Sequence, residues 1–284
     1  MRKIFFVSDA FIDKYNGGAE LTTESIIQSS PYEVIKIESA RLTEKIVEEH
    51  KDDFWIFGNF SSLQDKLKLF FIKNIDYSVI EFDYKYCKYR SDDLHILAEG
   101  KCDCSEQFVG KVNSLFLASS KSVWWMSESQ KQFYFGKFPF LKESNNIVLN
   151  SVFSKETIDF IAAVDTENKN DKWIILNSPS WIKNVQGCVE YAKENNLNYE
   201  LVWGIEYEEL LRKLGESKGL IFLPLGKDTC PRITMEAKLL GNEIVMNSNV
   251  QQREEKWFET KESILEHLSS RTNVFWKEIA DHVK

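Results

Sequence analysis

Short apolar runs alternate with amphipathic segments along most of this chain. KIFFVSD (residues 3–9), YEVIKIES (32–39), DFWIFGN (53–59) and YSVIEFD (77–83) are dense in apolar and β-branched residues. That is the pattern of strands in a parallel sheet buried on both faces. Between them, GGAELTTESIIQS (17–29), TEKIVEEH (43–50) and SLQDKLKLFFIKN (62–74) carry apolar residues at helical spacing. A long polar stretch, 84–107, follows and reads as a loop. The alternation then resumes: helix 109–120, strand SVWWMS (122–127), helix 129–136, strand NIVLNS (146–151) and helix 154–164, with Ser154 as its predicted N-cap.

The segment DTENKNDK (165–172) is charged and almost without apolar residues, and it reads as a linker. Beyond it come strand WIILNS (173–178), helix 184–196, strand YELVWG (199–204), helix 206–217, strand GLIFLPL (219–225) and strand EIVMN (243–247). Two helical segments, 261–270 and 273–283, finish the chain. Repeated strand–helix units predict an α/β protein whose parallel sheets are covered by helices on both faces. The linker divides it into two Rossmann-like domains, 1–165 and 166–268, with 269–284 as a closing helix.

Composition narrows the function classes. Hydrophobic residues make up 43% of the 284, enough for packed cores. The formal net charge of −8 leaves no broad basic field, which disfavours tight nucleic-acid binding. No apolar run approaches the roughly 20 residues of a spanning helix, and the first residues read as a strand rather than a secretory signal. Five cysteines, an odd number, suit a reducing compartment, so a cytoplasmic protein is expected.

Open parallel sheets bind ligands at the carboxyl ends of their strands, so the chemistry is sought in the loops there. NGGAE (16–20) supplies a sharp turn and a helix start whose amides suit an anion, although it is not the G-x-G-x-x-G fingerprint. EFDYKYCKYR (81–90) presents Asp83 at a strand end, followed by Tyr84, Lys85 and Arg90, a mixture suited to a polar acceptor. SPSWIKN (178–184) offers Ser178 and Lys183 to a phosphate. In FLPLGKDTCPRITMEAKLLGNEIVMN (222–247), Pro231 falls in the first turn of a helix, so the amides of Cys230, Pro231's neighbour Arg232 and Ile233 form a donor cluster. Asp228 precedes that helix and Glu236 lies inside it, about 7 Å along its axis.

This last corner resembles the E-x7-E region of retaining, GT-B-fold glycosyltransferases similar to glycosyltransferase family 4. GGAE, LNSVFSKETIDFI and the terminal FWKEIADHV extend the resemblance over nearly the whole chain. It implies two Rossmann-like domains facing across a cleft, with the last helix returning to the first domain. It also implies roles. Gly17 and Gly18 would lie beside the donor phosphate and sugar, and Lys183 would contact the diphosphate. Asp228 would meet the transferred sugar, Glu236 the ribose hydroxyls, and the backbone at Pro231 to Ile233 the distal phosphate. Gly204, Ile205 and Glu206 would seat the nucleobase. The chain departs from the family where the first acid is Asp, where Ser178 stands in place of an arginine, and where no glycine follows Lys183. Arg232 or Lys238 would then meet part of the phosphate charge.

The reaction so implied moves a sugar from a UDP- or GDP-sugar to an acceptor hydroxyl with retained configuration and without a metal or other cofactor. Asp83 would orient the acceptor or take its proton. The acceptor is a glycan or other hydroxyl compound. The Lys-, Asn- and Ile-rich wording suits an AT-rich genome such as a phage's, where a modified DNA base would serve, but the acidic balance argues against it. Two other readings fit the same architecture: a nucleotide-sugar epimerase, and a non-catalytic module that binds nucleotide or glycan. Cys87, His95, Cys102 and Cys104 have the spacing C-x7-H-x6-C-x-C, which matches no standard zinc pattern. The four could be zinc ligands, but buried or surface thiols are the favoured reading of the three cysteines, and no metal site is expected.

Overall fold

The computed structural model describes residues 3–283. It divides into two compact units, one comprising residues up to Ser154 together with those from Ser270, the other Lys155–Ser269.

The first unit is built on β1 (Ile4–Ser8), α1 (Gly18–Gln28), β2 (Val34–Glu38), α2 (Glu44–Glu49), β3 (Phe54–Phe57), α3 (Asp65–Asn74) and β4 (Tyr77–Glu81). It continues through α4 (Asp92–Glu99), α5 (Phe108–Ala118), β5 (Val123–Trp125), α6 (Glu128–Lys137) and β6 (Asn146–Val148). Its six strands are all parallel, in the order β2-β1-β3-β4-β5-β6. Residues of β1, β3, β4 and β5 are fully buried, as continuous apolar runs require. On one face Phe57 meets Phe71, Tyr77 and Phe116 edge-on, with ring centroids 4.9, 5.8 and 5.0 Å away.

The second unit holds α7 (Lys155–Ala163), β7 (Trp173–Leu176), α8 (Val185–Glu194), β8 (Tyr199–Val202), α9 (Tyr207–Glu216), β9 (Gly219–Phe222), α10 (Arg232–Leu239) and β10 (Glu243–Met246). Its four parallel strands run β10-β9-β7-β8 around a smaller core of Trp173, Ile175, Cys188, Ala192 and Ile221. The last helix, α11 (Lys261–Val283), begins in this unit and ends in the first. There Phe275 packs on Trp124 at 4.6 Å, and the Trp276 indole N–H donates to the Ile26 carbonyl.

Three expectations change. The stretch 84–107 contains a helix, α4, capped by the Ser91 hydroxyl, which accepts from the Leu94 N–H, and closed by Gly100 at φ +81°. The predicted break near 270 is absent: the helix runs unbroken from Lys261 to Val283, and the Ser269 hydroxyl is spent inside it on the Leu265 carbonyl. The division between units falls before α7, not in the charged stretch 165–172. That stretch is tied into the second unit: Lys169 Nζ donates to the carbonyls of Gly215 and Ser217, and the Asn170 N–H to that of Glu216.

Candidate functional site

Each sheet has one point where the chain reverses its direction of winding, and there the loops leaving two neighbouring strands open apart. In the second unit this lies between β7 and β9. The loop after β7 contributes Lys183 and the loop after β9 contributes Asp228. Their side chains meet across it, with Lys183 Nζ 2.6 Å from Asp228 Oδ2 and 5.1 Å from the Phe222 ring. Backbone bonds fix both loops: the Leu225 N–H donates to the Ile182 carbonyl, and the Asp228 N–H to that of Asn249.

Helix α10 starts immediately beyond. Pro231 is its N-cap residue rather than a residue of its first turn. One turn in, Glu236 is 2% exposed. Its Oε1 accepts from the Tyr207 hydroxyl at 2.6 Å and lies 3.5 Å from Arg232 Nε. Burial raises the Glu236 pKa, with the Arg232 charge opposing. Cys230, Arg232 and Ile233 are also buried, so their side chains belong to the wall of the site. Arg232 is thus engaged with Glu236 and with the Tyr207 hydroxyl at 3.3 Å. Lys238 donates to the Phe258 carbonyl, which turns it away from a phosphate role.

Ser178 accepts the Ser180 N–H within its own turn. Gly204, at φ +69°, and the half-buried Ile205 lead to Glu206, which precedes α9. Beside them Trp203 is 48% exposed, a large flat surface left open at the end of β8.

In the first unit the reversal lies between β1 and β3. Asp9, just past β1, accepts the N–H groups of Ser61 and Ser62 beyond β3, at 2.8 and 2.9 Å, and the Ser39 hydroxyl. These bonds outweigh burial and hold its carboxyl below the ordinary range. Asp83 lies past β4, 2.6 Å from Arg90 Nε and 3.2 Å from Lys85 Nζ. Burial would raise its pKa, but the two cations lower it further, so Asp83 is a fixed anion and a poor proton acceptor. Arg90 also donates to Asn59 Oδ1 at 3.0 Å.

Beneath them Glu81 is fully buried. It accepts the Lys85 N–H and the Tyr134 hydroxyl and lies 3.6 Å from Lys85 Nζ. Burial pushes its pKa up to about 7 against the pull of Lys85. Gly17 is the N-cap residue of α1 and Gly18 its first residue. The Glu20 carboxyl folds over this helix tip, 3.5 Å from Asn59 Nδ2, and burial raises its pKa.

Some of the predicted residues meet, and others, Gly17, Gly18, Ser178 and Gly204 to Glu206, stay within their own turns. Lys183 and Asp228 meet at the reversal in the second sheet, Pro231 opens the helix that follows, and Glu236, one turn into it, pairs with Tyr207 and Arg232 instead. Asp83, Lys85 and Arg90 form one ion cluster in the first unit. Tyr84 does not face outward: it is 0% exposed and stacks on Tyr134, with ring centroids 5.8 Å apart, so it supports the loop from below. Sequence reasoning missed Asp9, Glu20, Asn59, Glu81 and Tyr207. Asp9 carried a readable signal, an acid at the carboxyl end of a strand like Asp83. Tyr207 carried none, because its link to Glu236 spans 29 residues.

No family model and no curated protein matches this sequence. Solved structures do match its fold. Trehalose-6-phosphate synthase OtsA superposes with a TM-score of 0.60 at 8% identity, over 99% of this chain and 96% of that one. Alr3699/HepE from Anabaena, solved with UDP and glucose, gives 0.56 at 10% identity over 99% of both. An alpha-glucosyltransferase solved with UDP and DNA containing an HMU base gives 0.50 at 10% identity, over 98% of this chain and 93% of that one. Against the GtfA/B complex the chain spans 59% of the matching chain's length. With its two parallel-sheet units and its last helix ending in the first of them, the chain has the fold of GT-B glycosyltransferases.

Proposed function

We propose that this protein is a glycosyltransferase that moves a sugar from a UDP- or GDP-sugar to an acceptor hydroxyl with retained configuration. The observation that carries this reading is the pairing of Lys183 with Asp228 across the reversal of the second sheet, in the loop that leads into α10, the helix that carries Glu236. Lys183 forms an ion pair with Asp228. A donor diphosphate would take over the lysine, and the freed Asp228 would accept from the hydroxyls of the sugar. The amides at the start of α10 and the Lys183 ammonium would then stabilise the leaving diphosphate, so no divalent ion is required. Glu236, oriented by Tyr207, would hold the ribose hydroxyls, and Trp203 with Gly204, Ile205 and Glu206 would seat the base.

In the first unit the Asp83–Arg90–Lys85 cluster would bind the acceptor through Arg90, which is the more exposed partner. Asp83 then serves as a positioning residue. A small polyhydroxyl acceptor suits a chain of net charge −8 better than DNA does.

UDP- and GDP-sugars should raise the melting temperature, and the better donor should support transfer to a glycan acceptor. Lys183→Ala should weaken UDP binding by about 10- to 100-fold, the worth of a charge-assisted hydrogen bond to phosphate. Glu236→Gln, which keeps a partner for Arg232 and Tyr207, should remain folded and lose turnover. Wild-type turnover in that variant removes Glu236 from the reaction. Sugar epimerisation without acceptor, or binding with no turnover, would replace transfer as the activity.

A further inference from the structure

The segment that carries Asp83 and Arg90 runs on into a second constellation that the glycosyl-transfer reading does not use. Cys87, His95, Cys102 and Cys104 come from four points on the loop, α4 and the 3-10 turn Cys104–Glu106. Their side chains converge so that all four candidate ligand atoms lie within 4.8 Å of one another. His95 Nδ1 is 3.4 Å from both Cys87 Sγ and Cys104 Sγ, and Cys102 Sγ is 3.7 Å from Cys87 Sγ. A tetrahedral zinc ion with ordinary bond lengths sets its sulfur–sulfur edges at about 3.8 Å and its sulfur–nitrogen edges at about 3.6 Å. A disulfide needs about 2.05 Å between sulfurs, far closer than this pair stands.

We propose that Cys87, His95, Cys102 and Cys104 bind one structural Zn2+ ion that staples residues 87–104 beneath the Asp83–Arg90 pair. Four protein ligands and no open position mark a structural rather than a catalytic centre. The other imidazole nitrogen is already placed for this role. His95 Nε2 lies 3.1 Å from Glu99 Oε2, and Glu99 is itself held by Lys88 and Tyr89 at 2.8 and 2.9 Å. A carboxylate behind a ligating histidine fixes the tautomer that leaves Nδ1 free for metal. The Tyr89 ring stacks on His95 at 4.8 Å and closes one side.

Backbone N–H groups of Tyr89 and Cys104 point at the sulfurs of Cys87 and Cys102 and favour their thiolates. On binding, three thiol protons leave for solvent while His95 stays neutral, so the centre carries a charge of −1. The spacing fits no standard zinc motif because α4 brings His95 back over Cys87. The chain fold makes the site, and the spacing hides it.

The full-length protein, purified under reducing conditions and loaded with ZnCl2, should retain about one equivalent of zinc by mass spectrometry after gel filtration. Cobalt exchange should give thiolate-to-cobalt charge-transfer absorption and tetrahedral d–d bands. Cys102→Ser, at the most exposed ligand, should lose zinc and show faster hydrogen exchange across 83–107, whereas Cys188→Ala in the second unit should stay loaded. Substoichiometric zinc in the reduced wild type, octahedral cobalt spectra, or a Cys87–Cys102 disulfide in the intact mass would each overturn the site. None of these readouts depends on sugar transfer.

Discussion

Glu81 shows how one buried carboxyl links the core of the first unit to its surface. It lies beneath Asp83 and contacts Lys85 and Tyr134, and burial lifts its pKa from 4.5 to about 7. The folded protein therefore holds this proton more tightly than the unfolded chain does. Its contribution to stability is complete below pH 4.5 and is lost as pH rises through about 7. Glu20 and Glu236, also raised, act in the same direction, whereas Asp9 and Asp83 act oppositely at lower pH. Glu81→Gln keeps an oxygen for the Lys85 N–H and the Tyr134 hydroxyl but cannot ionise. Its melting temperature should fall less than that of the wild type between pH 5 and pH 8, compared by calorimetry. Equal slopes would show that Glu81 titrates normally.

At the level of elements, Gly219, which opens β9, is hemmed in by a neighbouring strand and a core ring. A Cβ there would stand 2.6 Å from the Glu243 carbonyl oxygen and 2.6 Å from the Trp173 ring. Neither the carbonyl nor the core indole can move aside without disturbing β10 or β7. Gly219→Ala should destabilise the second unit by about 1–3 kcal/mol, as overpacking does, measured by denaturant unfolding. Unchanged stability would mean that the strand spacing relaxes freely. The elements also show where reading by pattern fails. Helix α4 carried its signals openly, with Ser91 at the start, Asp92 and Asp93 in the first turn and Gly100 at the end. It was hidden by the polar residues on either side, which made the whole stretch look like loop.

Over the whole molecule, α11 is shared between the units, and its last turns complete the core of the first. Trp276 is 5% exposed and bonds through its indole to the Ile26 carbonyl, while Phe275 and Ile279 are fully buried. Trp276→Ala should lower the stability of the first unit by about 3–5 kcal/mol, the cost of a large buried aromatic, and calorimetry reads the loss directly. A wild-type transition would show that the helix end is dispensable there. Chain order alone would assign these residues to the second unit, because they follow its last strand.

Local sequence carries the strand–helix alternation, the parallel sheets, the loops that hold Asp83, Lys183 and Asp228, and the helix that holds Glu236. Each of these depends on neighbours within a few residues, where periodicity and turn chemistry act. Long-range packing fixes the rest. It set Lys183 against Asp228, gave Glu236 its tyrosine, buried Tyr84, joined Asp9 to the loop after β3, and drew three cysteines and a histidine to one point. Those outcomes rest on contacts between segments distant in the chain. Which side chains meet there is fixed by strand order and packing, and these leave no periodic trace in the residues themselves.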